Sequence, residues 1–176
     1  KSIYVNINRE KSNVILGKKS ICVYGAARIV EKIGDRIFSI SPNSFFQVNS
    51  KQTVKLYDQI KEMAALKGTE TVFDLYCGTG TIGLYLAKEA KAVIGIESVN
   101  DAVLDARENA GLNQLDNATF YQGRAEEEMV RITKEEKIKP DLIILDPPRK
   151  GCEETLLNAI SELKTATVIY VSCNPS

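Results

Sequence analysis

Thr71-Val72-Phe73-Asp74-Leu75-Tyr76-Cys77-Gly78-Thr79-Gly80-Thr81-Ile82-Gly83 decides the fold of this chain. Its first five residues are a strand-like run rich in apolar and β-branched side chains. Gly78, Gly80 and Gly83 then fit G-x-G-x-x-G leading into a helix. Strand, glycine loop and helix in this order open a βαβ unit, where the loop backbone can approach a ligand closely. Glu97 ends the next strand-like run, a position suited to an acid that holds ribose hydroxyls. Taken alone, these features are a dinucleotide fingerprint. Asp74, four residues before Gly78, shifts the balance. An anionic pyrophosphate has no need of a carboxylate there, whereas the ammonium and sulfonium of S-adenosylmethionine suit one. NAD and S-adenosylmethionine both stay open on the loop, with the acid favouring the methyl donor.

Working outward from the loop, strands are expected at 71–75, 92–96, 118–121, 142–145 and 167–171. Helices are expected between and before them, at 50–66, 80–89, 99–112, 124–136 and 152–163. This alternation predicts an α/β fold, a Rossmann-like parallel sheet with right-handed crossovers. Ser50 is the expected cap of the first helix, whose apolar stripe is Val54, Leu56, Tyr57, Ile60, Met63 and Ala64. Before it the pattern differs. Short β-like runs at 3–7, 20–24, 27–33 and 36–40 are broken by Gly17, Gly25, Gly34-Asp35 and Ser41-Pro42-Asn43, which reads as antiparallel hairpins. The change of pattern separates a β-rich segment at 1–43 from an α/β region at 44–176 that carries the glycine loop. Lys18-Lys19 reads as a solvated turn, and Glu126-Glu127-Glu128 as a solvated helical face.

Composition narrows the chemistry. The 176 residues are 44% hydrophobic and 26% charged, with no apolar run of membrane length. No membrane or protein partner is evident. Histidine is absent, which excludes Cys-His dyads and His-ligated zinc. Basic and acidic residues balance at 23 each, so net charge gives no hint of nucleic acid. Cys22, Cys77, Cys152 and Cys173 show no paired spacing, which argues for free thiols in a reducing compartment. The chain starts at Lys1 with no signal-like segment, so it is expected to be a piece of a longer cytoplasmic protein.

Three further motifs carry chemistry. Asp146-Pro147-Pro148-Arg149 follows the strand at 142–145, and its two prolines stiffen the loop that aims Asp146. Amino-methyltransferases have an aromatic after a similar Pro-Pro, to stack on a flipped base; Arg149 stands there instead. It suits either a nucleic-acid phosphate or a structural salt bridge. In Phe45-Phe46-Gln47-Val48-Asn49 an extended backbone points Phe45 and Gln47 the same way, pairing a stacking surface with an amide; core packing of both Phe residues is the alternative. Finally, Val168-Ile169-Tyr170-Val171 reads as a buried strand that delivers Cys173 to its carboxyl end, before Asn174 and Pro175. Cys22 and Cys152 read as structural, and Cys77 as contributing size.

At these motifs the chain resembles the RNA uracil carbon-5 methyltransferases, which make 5-methyluridine in transfer and ribosomal RNA. The resemblance covers about residues 45–176, through Phe-Phe-Gln-Val-Asn, Asp-Leu-Tyr-Cys-Gly-Thr-Gly-Thr, Ile-Gly-Ile-Glu, Leu-Asp-Pro-Pro-Arg-Lys-Gly and Tyr-Val-Ser-Cys-Asn-Pro. It implies Cys173 as the catalytic nucleophile. S-adenosylmethionine, with S-adenosylhomocysteine as product, would contact Gln47, Asp74, Tyr76, Gly78, Gly80, Thr81, Glu97 and Asp146, while Phe45, Arg149 and Asn174 would face the RNA. No metal is implied. It also implies a general-base glutamate downstream of Ser176, an N-terminal RNA-binding barrel, and in some members an iron–sulfur cluster that Cys22 alone could not hold. The implied chemistry is addition of a thiolate to carbon 6 of uracil, which makes carbon 5 nucleophilic enough to take a methyl group. A base then removes the carbon-5 proton and the thiolate leaves. An oxidoreductase using NAD, or a donor-binding RNA-associated module without catalysis, are the alternatives.

Overall fold

Alternation of side chains along β5 (Thr71–Leu75) divides the core in two. In the computed structural model, which describes residues 1–9, 17, 19–42 and 44–172, Val72 points to one apolar cluster, and Phe73 and Leu75 point to the other. Four parallel neighbours complete the sheet: β6 (Ala92–Glu97), β7 (Ala118–Gln122), β8 (Leu142–Leu145) and β9 (Thr167–Tyr170). Helices α1 (Ser50–Ala64), α2 (Thr81–Leu86) and α3 (Asn100–Leu112) cover the first face; α4 (Ala125–Arg131) and α5 (Glu154–Leu163) cover the second. The result is the expected α/β/α layering. The strand order is β7-β6-β5-β8-β9. The chain runs outward from β5 to β7, then crosses back to β8 on the other side of β5. That reversal opens a crevice at the carboxyl ends of β5 and β8.

The N-terminal residues form two antiparallel pairs, as expected. β1 (Ser2–Ile7) pairs with β2 (Lys19–Gly25), and β3 (Ile29–Ile33) pairs with β4 (Arg36–Ile40) through the Gly34-Asp35 turn. Ile33, Phe38 and Ile40 of the second pair lie in the same cluster as Tyr57, Val72 and Val93.

Three expectations are corrected. Asn49, not Ser50, caps α1: its side chain accepts from the Gln52 backbone N–H, and Ser50 is the first helical residue. The two residues are equally good caps, and the one that reaches the N3 amide wins. That helix ends at Ala64, with Ala65 in the left-handed conformation, rather than at Leu66. The strand carrying Val168 to Tyr170 is not buried on both sides. β9 is an edge among the described strands, so Ile169 alone enters the core while Val168 and Tyr170 are 44% and 47% exposed. A short apolar run looks the same in sequence whether one face is covered or two.

Candidate active site

Three carboxylates converge on the crevice. Asp74 lies on β5 and is fully buried; its Oδ2 accepts from the Gly83 N–H at 2.8 Å, and its Oδ1 has no partner among the described residues. Burial pushes its pKa from 3.8 up to about 7 against the pull of the Gly83 N–H, and the charges of Asp146 and Glu97 add to the rise. Asp146, at the end of β8, is half-buried and its pKa is also raised by burial. Glu97, at the end of β6, is fixed by the glycine loop itself: Oε2 accepts from the Gly78 N–H at 3.1 Å and Oε1 from the Val99 N–H at 2.8 Å. Among the described residues no lysine or arginine pairs with any of the three. Like charges gathered without a counterion cost free energy, and a cationic ligand relieves that cost.

The loop between them has the required backbone. Tyr76 has φ of 62°, Gly78 of 54° and Gly80 of 78°, all in the left-handed region. A Cβ at Gly78 would meet nothing within 4 Å, so the space above it is open. At Gly80 a Cβ would come within 2.9 Å of the Phe120 ring and 3.1 Å of Ala106, so this glycine is where α3 and β7 press on the loop from behind. Tyr76 is not a glycine, and its left-handed backbone is the strained point of the loop. Its phenol is half-buried and pushed up to about 12, mainly by burial and then by neighbouring Cys152.

Thr81 opens α2, and its Oγ1 shares a 2.7 Å hydrogen bond with the Tyr57 hydroxyl. Tyr57 is 2% exposed, and burial together with the charges of Asp74 and Asp146 raises its pKa. This tyrosine belongs to the site region, although its spacing in the sequence marks it only as part of an apolar stripe. The available signal was that a buried phenol needs a partner. Cys77 is buried, its thiol raised far above the usual range by burial and by Asp74 and Glu97.

Other expected residues lie elsewhere. Gln47 is half-buried and lines a cavity of about 510 Å³ together with Tyr4, Arg28, Ser44 and Phe46. Among the described residues no hydrogen bond joins it to the three carboxylates. Phe45 is 76% exposed, whereas Phe46 packs on the core with its ring 6.0 Å from Phe38, so the core-packing alternative holds for Phe46 and not for Phe45. Arg149 is exposed and makes no ion pair among the described residues, so the salt-bridge reading finds no partner there. Cys173 and Asn174 lie outside the described residues. The chain leading to them is placed: the Val171 N–H donates to the Leu145 carbonyl at 2.7 Å, beside Asp146.

A family model for tRNA (uracil-5-)-methyltransferase matches residues 11–176. The chain belongs to that family. An uncharacterized RNA methyltransferase of Staphylococcus aureus (strain MRSA252) is 50% identical over 175 residues, which are 99% of this chain and 38% of the relative. An uncharacterized RNA methyltransferase of Clostridium tetani (strain Massachusetts / E88) is 48% identical with the same coverage. The chain therefore spans well under half the length of these relatives. Among solved structures, the Pyrococcus abyssi tRNA (uracil-54, C5)-methyltransferase in complex with S-adenosyl-L-homocysteine superposes with a TM-score of 0.79 at 36% identity, covering 99% of this chain and 41% of that one. The ligand of that neighbour, S-adenosyl-L-homocysteine, is of the methyl-donor type that Asp74 favours over NAD at the glycine loop. The residues of this site fit such a ligand, since a buried carboxylate oxygen without a partner among the described residues and an open glycine backbone suit a cationic, closely approached molecule.

Proposed function

We propose that this chain is the donor-binding and catalytic part of an enzyme that methylates carbon 5 of a uridine in structured RNA, transfer or ribosomal. The observation that carries the reading is the trio Asp74, Glu97 and Asp146, gathered without a counterion among the described residues around the open backbone at Gly78. Bound S-adenosylmethionine supplies a methyl group made electrophilic by its sulfonium. Asp74 and Asp146 would face the cationic end, Glu97 the ribose, and Tyr76, Gly78, Gly80, Thr81 and Gln47 would complete the donor site. Cys173, as thiolate, would add to carbon 6 of uracil, with Asn174 beside it. Near neutral pH only about 3% of an unperturbed thiol is ionised, so backbone N–H groups, Asn174 or Arg149 must assist. Phe45 and Arg149 are exposed, as RNA-facing residues need to be. Flipping the uridine out costs a few kcal/mol, which stacking of about 1–3 kcal/mol per base offsets. RNA as partner and the cytoplasm as location belong to this same reading.

Calorimetric titration of the full-length protein tests the donor half: S-adenosylhomocysteine should bind and NAD should not. RNA carrying 5-fluorouridine tests the chemical half. It should form a denaturation-resistant adduct with the full-length protein, and Cys173→Ala should form none while binding S-adenosylhomocysteine normally. Methylation by Cys173→Ala at the full rate would remove the covalent mechanism.

A further inference from the structure

One face of α3 replaces a strand. Asp105, Asn109 and Asn113 recur every four residues, rising about 6 Å per step. The outward N–H groups of Ile37, Ser39 and Ser41 recur every two residues along β4 and its extension, about 6.6 Å per step. The periods nearly match, and the side chains bond rung by rung. The Ile37 N–H donates to Asn113 Oδ1 at 2.9 Å, the Ser39 N–H to Asn109 Oδ1 at 2.7 Å, and the Ser41 N–H to Asp105 Oδ2 at 3.2 Å. Edge groups that a sheet would leave open are thereby satisfied by a helix.

The middle rung differs from the other two. Asn109 is fully buried, and its second arm reaches away from the hairpin: Nδ2 donates to the Thr79 carbonyl at 3.3 Å. Thr79 is itself buried and sits between Gly78 and Gly80, at the crest of the glycine loop. One turn before Asn109, Ala106 lies where a Cβ on Gly80 would clash, so α3 touches the loop at two consecutive residues. Among the described residues Asn113 bonds only Ile37 and its own helix.

We infer that Asn109 is a positioning residue for donor binding, which holds the Thr79 carbonyl so that the Gly78 and Gly80 backbone keeps its left-handed turns, and ties that loop to the hairpin leading into residues 41–47. The inference rests on the donor-binding reading above. Calorimetry with S-adenosylhomocysteine on the full-length protein, alongside thermal unfolding, separates positioning from simple packing. Asn109→Asp keeps the size and the acceptor for Ser39 but turns an oxygen toward the Thr79 carbonyl; Asn109→Leu removes both bonds. Each should weaken S-adenosylhomocysteine binding about tenfold, the scale set by losing one buried hydrogen bond to the loop. Asn113→Ala, which loosens the same hairpin without touching the loop, should lower the unfolding temperature but leave the dissociation constant within about twofold. A folded Asn109→Asp protein that binds S-adenosylhomocysteine as tightly as wild type overturns the inference, and so does an equal loss in Asn113→Ala. Absence of binding by the wild type would instead overturn the donor reading itself.

Discussion

Asp74 is the residue whose environment makes the sharpest demand. Its carboxyl is fully buried, with one oxygen bonded to Gly83 and the other without a partner among the described residues, and its pKa is lifted from 3.8 to about 7. A raised folded pKa means that the folded state holds an extra proton between those two values. The stability of donor-free protein should therefore fall as pH rises from about 4 to about 7, and Asp74→Asn should flatten that slope. Donor affinity should run the other way, because a cation favours the ionised carboxylate. Below pH 7 the dissociation constant for S-adenosylhomocysteine should rise by up to about tenfold per pH unit, with Asp146 acting in the same direction. Calorimetry at pH 5.5 and 8 checks this; equal affinity at both would remove Asp74 from the donor site. The placement of Asp74, Glu97 and Asp146 at the carboxyl edge of the sheet was legible in sequence because each lies at or next to the end of an apolar strand-like run, and strand ends in open α/β sheets are few. Tyr57 and Asn109 were not legible. A helical period locates a buried face but does not say which polar tip on that face finds a loop carbonyl or hydroxyl.

Elements repeat the lesson at larger scale. Long periodic stretches such as α3 and the β5–β6 pair fall where apolar spacing puts them, because burying a stripe or a face outweighs local propensity. Boundaries and exposure turn on single bonds that sequence leaves degenerate: Asn49 and Ser50 are adjacent caps, and only geometry selects Asn49. Asn49→Ala should cost about 1 kcal/mol in chemical denaturation, and Ser50→Ala much less. A larger loss from Ser50→Ala would return the cap to that residue. The turn from loop to α2 is less forgiving. Gly80 has φ of 78° and faces Phe120 and Ala106 closer than a Cβ can approach. Gly80→Ala should therefore both destabilise the protein and weaken S-adenosylhomocysteine binding, whereas Gly78→Ala meets open space in the donor-free protein, so its stability cost is in backbone conformation alone and its Cβ instead occupies the space the donor approaches.

Across the whole molecule, the change of sequence pattern near residue 43 suggests a boundary, yet packing and hydrogen bonding cross it. Ile33, Phe38 and Ile40 share one apolar cluster with α1 and the parallel sheet, and Arg36 donates to the Leu84 carbonyl from a fully enclosed position. Asp105 collects Arg28, Ser41 and Ser44. Burial pushes its carboxyl up, but the hydrogen bonds from those serines and the arginine outweigh that and hold it below the usual range. The alternation of polar and apolar residues at 29–40 reveals a hairpin but not the surface it docks on, which is why sequence gave the elements here and not their partner. A hairpin fused to the catalytic core should not melt alone. Phe38 has no exposed surface, so Phe38→Ala should cost about 3–5 kcal/mol. Urea unfolding of these residues in the full-length protein, followed by hydrogen exchange at both β4 and β5 amides, should show the two strands losing protection together, in wild type and variant alike. If β4 amides open in Phe38→Ala while β5 amides keep their wild-type protection, the hairpin is a separate unit and the boundary near residue 43 divides two domains. Joint opening means instead that residues 29–40 are part of the fold that holds the donor, and that strain on the hairpin reaches the glycine loop through α3.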